Sequence, residues 1–328
     1  MTAIQRVSND PGSDQIQSAL RQHNSGRVVP FAAPHTLAEL LTQHVQTALS
    51  LSGADRSAWN GQIVEAGEGI LGLAHWDGTL HLDREFILAP LHDLYARAGE
   101  ARPTTTLARY RDALLTLLHE QSHFLGPHGS TQEAARAAFR TPGAKALEEG
   151  VAEAWSHTHL DAYLRLLSVP HHAPGIERVA TQPSYQAYVP ATLALTNYLD
   201  HRRHHPPGST LTLLNRQTTE GQWPLVTDLL YRSTTLPRLV PHTEEPEIRH
   251  TLETHLRDAF QSLEILQLTP QAIAAHRSHS TLQTALSTLD QKLERLATAF
   301  TRTQQSPANT VERSRTPQSP DDSFEMTR

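Results

Sequence analysis

The sequence predicts an α+β fold: a small, mainly antiparallel sheet, then a buried helix, then a largely helical C-terminal subdomain. Strand-like runs are confined to one short stretch. Ile63-Val64-Glu65-Ala66 and Ile70-Leu71-Gly72-Leu73-Ala74 are apolar runs broken by glycine, and Asp77-Gly78 sits between the alternating residues of His75 to Leu82, a hairpin signal. Ahead of them, Thr36 to Leu51 has helical periodicity, with Leu37, Leu40, Leu41, Val45, Ala48 and Leu49 on one face. Behind them, from Asp83 to residue 302, the pattern stays mostly helical and is punctuated by prolines such as Pro170, Pro190, Pro224 and Pro270. One helix, one sheet and then a run of helices is the order of an α+β chain rather than of alternating βαβ units.

Composition narrows the function classes. The 328 residues leave room for one large domain or two ordinary ones, but only 38% of them are hydrophobic, which is low for a wholly globular chain. Residues 1–30 are polar, with turn material at Asn9-Asp10-Pro11-Gly12-Ser13, and residues 304–328 carry Ser306-Pro307, Thr316-Pro317 and Ser319-Pro320. Both ends are expected to be disordered. The folded domain is expected over residues 31–303, with the sheet and central helix in 31–128 and a helical subdomain in 129–303. A net charge of −6 argues against nucleic acid as the main partner, because a phosphate-backbone binder needs clustered positive charge. No apolar run approaches membrane-spanning length, and the first residues carry no secretory signal. A cytoplasmic protein, or one exported without a classical signal peptide, is therefore expected. The absence of cysteine excludes disulfides, thiolate metal sites and cysteine nucleophiles, so any metal must be held by nitrogen and oxygen.

The informative stretch is Leu114-Leu115-Thr116-Leu117-Leu118-His119-Glu120-Gln121-Ser122-His123, a His-Glu-x-x-His pattern in a predicted helix. Residues four apart are rotated by only about 40° and separated by about 6 Å along the axis, so both imidazoles can converge on one ion from adjacent turns. Glu120 then points to the flank, where it can reach a metal-activated water and take its proton without binding the metal itself. Leu107, Tyr110, Ala113, Leu114, Leu117, Phe124 and Leu125 lie roughly opposite the pair, and the helix is apolar almost all round near its end, the pattern of a buried element. Buried histidines need partners, and a metal provides one. Gly126-Pro127 is expected to end this helix.

Two further features belong with the motif. The hairpin precedes it, and Ala146-Leu147-Glu148-Glu149-Gly150-Val151-Ala152-Glu153-Ala154-Trp155 follows it. Together these segments resemble the zincin metallopeptidases, and the Glu-Gly-x-Ala segment resembles that of the gluzincins. The resemblance covers residues 75–155 and implies a zincin-like fold in which an exposed edge strand lies above the metal helix; Thr79-Leu80-His81-Leu82 is the expected strand. It also implies Glu149 as third metal ligand beside His119 and His123. A helical reading agrees: Glu149 and Glu153 share a face, Gly150 admits a close neighbour, and Glu153 is placed to accept a hydrogen bond from a ligand histidine. The stretch between His123 and Glu149 is longer than is usual in gluzincins, and a helix at 132–139 is the expected insert. The metzincin pattern competes through Gly126 and His128, but His128 falls one residue early, and Met1 and Met326 cannot supply a methionine turn.

A gluzincin also implies a tyrosine or histidine facing the developing oxyanion. His157, Tyr163, Tyr185, Tyr188 and Tyr198 are the candidates, and Tyr188, in a proline-bounded helical stretch past Glu149, is preferred. His201 to His205, before Pro206-Pro207-Gly208, reads as a solvated loop. Leu282, Leu286, Leu289, Leu293 and Leu296 are spaced like heptad leucines, and packing within the chain is expected of them. The expected function is a zinc-dependent peptidase acting on a peptide or protein, with Zn²⁺ on His119, His123 and Glu149, Glu120 as general base and Tyr188 as second catalytic residue. The alternatives are a catalytically inactive, metal-binding regulatory protein on the same fold, and a helical scaffold with a coincidental motif.

Overall fold

A computed structural model describes residues 33–305. Helix α1 (Leu37–Ser52) starts where the Thr36 hydroxyl accepts the Glu39 N–H and stops at Gly53, whose left-handed φ of 66° glycine adopts without penalty. Strands β1 (Arg56–Ser57), β2 (Ile63–Glu65), β3 (Gly72–Ala74) and β4 (Leu80–Leu82) follow. A π-helical turn at Arg84–Leu88 leads into α2 (Ala89–Ala96), and α3 (Thr104–Ser122) carries the His-Glu pair. Strand β5 (Leu125–Gly126) comes next. The helices beyond it are α4 (Gln132–Phe139), α5 (Ala144–Leu166), α6 (Val169–His172), α7 (Val189–Arg203), α8 (Ser209–Asn215), α9 (Thr219–Arg232), α10 (Leu236–Leu239), α11 (Glu245–Gln261) and α12 (Gln271–Gln305). The α+β class is as expected, and no helix among the described residues is long and apolar enough to cross a membrane. The segment 1–30 and nearly all of 304–328 lie outside the described residues.

Three strands form one sheet in the order β2-β4-β3, with β4 parallel to β2 and antiparallel to β3. A second, two-stranded sheet pairs β1 with β5 in antiparallel register. The hairpin loop is wider than a two-residue Asp-Gly turn: the His75 N–H donates to the Thr79 carbonyl, the Gly78 N–H donates to the His75 carbonyl, and the Asp77 carboxylate accepts both the N–H and the hydroxyl of Thr79. Three expectations need correction. Strand β4, expected at the edge, is central: β2 and β3 flank it on both sides and take up its backbone groups. The edge strand over α3 is β3. Helix α3 also stops before Gly126-Pro127, because Leu125 and Gly126 are drawn into pairing with Ser57 and Arg56. Farther along, helix α7 continues through His201, Arg202 and Arg203, shortening the expected loop, and His204 turns left-handed at φ 54° to end it.

One contiguous core runs from Leu40 in α1 to Leu293 in α12. Helix α3 packs against α5, α5 against α7, and α12 against α7 and α11. Leu282, Leu286, Leu289 and Leu293 are buried in these contacts, so the leucine spacing serves packing within the chain. Stepping forward along α3 from Arg111 to His119 and His123 meets Asp161, then Glu153, then Glu148 on α5. The two helices are therefore antiparallel, and this register sets the site.

Helix α1 also buries His44 completely, against Trp59 at 5.3 Å between ring centroids. Neither His44 ring nitrogen has a hydrogen-bond partner among the described residues. Burial pushes its pKa down to about 3. The folded protein then resists a proton that the unfolded chain accepts near pH 6.5, so stability is retained above that pH and falls as the medium is acidified toward the folded value. At pH 5 this one group costs about 2 kcal/mol. In urea unfolding at pH 7 and pH 5, a His44→Leu variant is expected to lose about 2 kcal/mol less than the wild type over that interval; equal losses would contradict a buried, neutral His44.

Candidate metal centre

The central stretches of α3 and α5 are buried all round: every residue from Leu117 to Ser122, and every residue from Ala146 to Ser156. Glutamates so placed cannot be hydrated and need partners within the fold. Antiparallel packing supplies them. His119 and His123 face α5 from successive turns, His123 capping the end of α3 in right-handed conformation. Their Nε2 atoms lie 3.2 Å apart. Glu149 Oε2 lies 3.4 Å from each. The outer nitrogens are held as well: His119 Nδ1 stands 2.8 Å from Glu153 Oε2, and His123 Nδ1 stands 2.9 Å from Glu148 Oε1. Ser184 N–H donates to Glu153 Oε1 at 2.6 Å, fixing that carboxylate in turn.

At His123 the hydrogen bond to Glu148 sets the tautomer, and at His119 the Glu153 carboxylate lies beside the same nitrogen as an ion-pair partner. A carboxylate at Nδ1 keeps a proton there and turns the Nε2 lone pair inward. Two lone pairs and a carboxylate oxygen then converge on one buried point, and Glu149 Oε2 has no hydrogen-bond partner among the described residues. Such a group is repulsive unless a cation or extra protons enter it. His119, His123 and Glu149 are thus a buried set able to hold a metal ion. Where no ion is bound, burial lowers both imidazoles, but the surrounding carboxylates outweigh it. They raise His119 to about 9 and His123 well above its ordinary value. Burial likewise raises Glu149, yet the two imidazoles hold it well below the usual carboxylate range.

Glu120 is close to the triangle but outside it. Its Oε2 accepts the N–H of Ala74 in β3 at 2.8 Å, and its pKa is raised, burial outweighing the two nearby imidazoles. Gly72 makes this approach possible: a Cβ there would stand 2.7 Å from Glu120 Cγ and Oε1. Alternation along β3 turns Gly72 and Ala74 away from β4 and toward the cleft, as the inward bonds from Asp83 to Leu71 and from His75 to Thr79 require. Beside Glu149 in the cleft lining, the Tyr185 ring stacks on His119 at 5.5 Å, nearly parallel. Burial, then the charges of Glu149 and Glu120, push the phenol far up, so it keeps its proton.

The residues expected to meet do so: His119, Glu120, His123 and Glu149, with Glu153 behind His119. Tyr188 does not reach the cleft. It directly precedes α7, its ring stacks behind Tyr185 at 5.7 Å, and its Cβ packs on Gly150, which Thr192 also crowds. Burial and the charge of Glu264 raise it to about 12. Tyr185, three residues earlier in an irregular loop, lines the cleft. His128 is exposed, its N–H donating to Asp55, outside the centre. Tyr163 is fully buried away from solvent, and Tyr198 pairs with Asp290. Sequence reasoning missed Glu148 as the partner of His123; its position one turn and a residue before Glu153, on a helix running antiparallel to α3, was the available signal. No protein family, curated protein or solved structure matches this chain.

Proposed function

We propose that the protein is a zinc-dependent peptidase of the zincin type, gluzincin-like in its ligand set. One observation carries the reading: three donors form a triangle with sides of 3.2, 3.4 and 3.4 Å, and a fourth group, Glu120, flanks it without joining it. A tetrahedral Zn²⁺ with bonds of about 2.0–2.1 Å spaces its ligand atoms about 3.3–3.4 Å apart. Two nitrogens and one oxygen are also a donor set that suits zinc and leaves a position open. His119, His123 and Glu149 would hold the ion, and Glu148 and Glu153 would orient the imidazoles.

Bound there, Zn²⁺ supplies Lewis acidity, polarising a carbonyl and acidifying a water. The chain's own groups do the rest. Glu120, buried and raised in pKa, takes a proton at its carboxylate and returns it to the leaving amine. The Ala74 N–H holds Glu120 Oε2 in place while this happens. The edge of β3 offers its remaining main-chain groups to an extended peptide and aligns it over the centre. Tyr185 donates its hydroxyl to the oxygen that gains charge. An intact Glu120 that flanks the triangle without joining it favours catalysis over the inactive, regulatory alternative.

Purified protein given one equivalent of zinc is expected to cut members of an unbiased peptide library, and a chelator should stop it. Tyr185→Phe should lower kcat by about a hundredfold while zinc stays bound. A zinc-loaded protein that cuts no peptide would refute the reading.

A further inference from the structure

The cleft over the metal centre has an apolar end. One cavity of about 140 Å³ touches Glu120, His123 and Glu149, and also Leu73, Trp76 and Phe139. The Trp76 and Phe139 rings meet edge to face with centroids 5.6 Å apart. They come from opposite sides. Trp76 stands in the loop between β3 and β4, and Phe139 is the last residue of α4, which packs on α5 and α9. Both are only partly buried, and Leu73 is 37% exposed. Single exposed apolar side chains are ordinary, but three lining one end of a cleft, against a polar centre, form the kind of surface that binds an apolar group. The same lining carries no lysine or arginine to pair an acidic side chain at the apolar end. The whole cavity, its metal end included, is about the size that holds one benzene-sized ring, so its apolar end has room for no more than one side chain. A peptide extended along β3 turns alternate side chains to opposite faces, which presents one of them to this end.

We infer that Trp76 and Phe139 wall a specificity pocket that takes one large apolar side chain, aromatic or long aliphatic, next to the bond held at the metal centre. The inference rests on the peptidase reading of that site. It gives α4 a role: the segment that lengthens the interval between His123 and Glu149 carries Phe139 to the mouth of the cleft.

The test uses the full chain loaded with zinc and the hydroxamates of phenylalanine, alanine and aspartate. These share one metal-binding group and differ only in side chain, so their relative Kd values read the pocket without turnover. The phenylalanine compound is expected to bind about tenfold or more tighter than the alanine compound, with the aspartate compound weakest. In Trp76→Ala and in Phe139→Ala the phenylalanine-to-alanine ratio should fall to about one, with zinc content and melting temperature close to wild type. Phe139→Leu and Trp76→Phe should restore most of it. In the peptide library, cuts should cluster beside Phe, Leu and Met. Equal binding of all three hydroxamates, a preference for aspartate, or a ratio that survives both alanine substitutions would overturn the pocket. Cutting without regard to side chain would do the same and leave the peptidase reading standing. Side-chain discrimination with no peptide cut would sink the peptidase reading and leave the pocket standing.

Discussion

Replacing Glu120 with glutamine is expected to lower kcat by about 10³–10⁴-fold while zinc remains bound at one equivalent. The carboxamide is nearly isosteric, and its oxygen can still accept the Ala74 N–H that Glu120 accepts at 2.8 Å. What it cannot do is take a proton. General acid–base catalysis contributes about 10²–10⁴-fold, and one carboxylate serving both the water and the leaving amine belongs at the upper end. Zinc content should not change, because Glu120 is outside the triangle formed by His119, His123 and Glu149. The fold should tolerate the change too. Glu120 is buried and burial raises its pKa, so removing its charge takes away a desolvation cost rather than a favourable ion pair. Peptide turnover, zinc content and melting temperature measured on the same preparation separate these effects. Wild-type turnover in Glu120→Gln would remove Glu120 from the mechanism.

The features legible in the sequence are those fixed within one helix. The spacing of His119 and His123 places both imidazoles on one face, and the same rule puts Glu149 and Glu153 together on α5. The apolar surround of both stretches announced burial, and burial is what makes the carboxylates and imidazoles seek each other. Details that depend on how two elements meet were not legible. Glu148 becomes the partner of His123 only once α3 and α5 are known to be antiparallel and in this register. The edge strand was misplaced because β3 and β4 are three residues each, too short for alternation to distinguish a central strand from an edge. Tyr185 lies in an irregular loop, where no periodicity says which way a ring points, and Tyr188 was preferred for its better-defined surroundings. Helix α4 was legible as a helix, but its place over the cleft is set by packing on α9, far along the chain.

Removing the proposed third ligand tests the centre itself. In Glu149→Ala, zinc affinity is expected to fall by about a thousandfold, on the order of 4 kcal/mol, and peptide turnover to vanish with it. The carboxylate is the only oxygen donor in the triangle, and it stands 3.4 Å from both Nε2 atoms. Without it the two imidazoles remain, still held from outside by Glu153 and Glu148. A two-nitrogen remnant keeps some affinity but loses the charge that balances a divalent cation. Glu148→Gln is the contrasting variant. It alters the partner of His123 and not a donor, so its loss should be smaller, about 10–100-fold. Thermal unfolding gives a second readout, since a ligand that binds only the folded state stabilises it by mass action. Wild-type melting temperature should drop when a chelator is added, whereas that of Glu149→Ala should not move. If Glu149→Ala kept zinc with wild-type affinity, the cation would be held elsewhere, and the convergence of His119, His123 and Glu149 would be ordinary ion pairing between two buried helices.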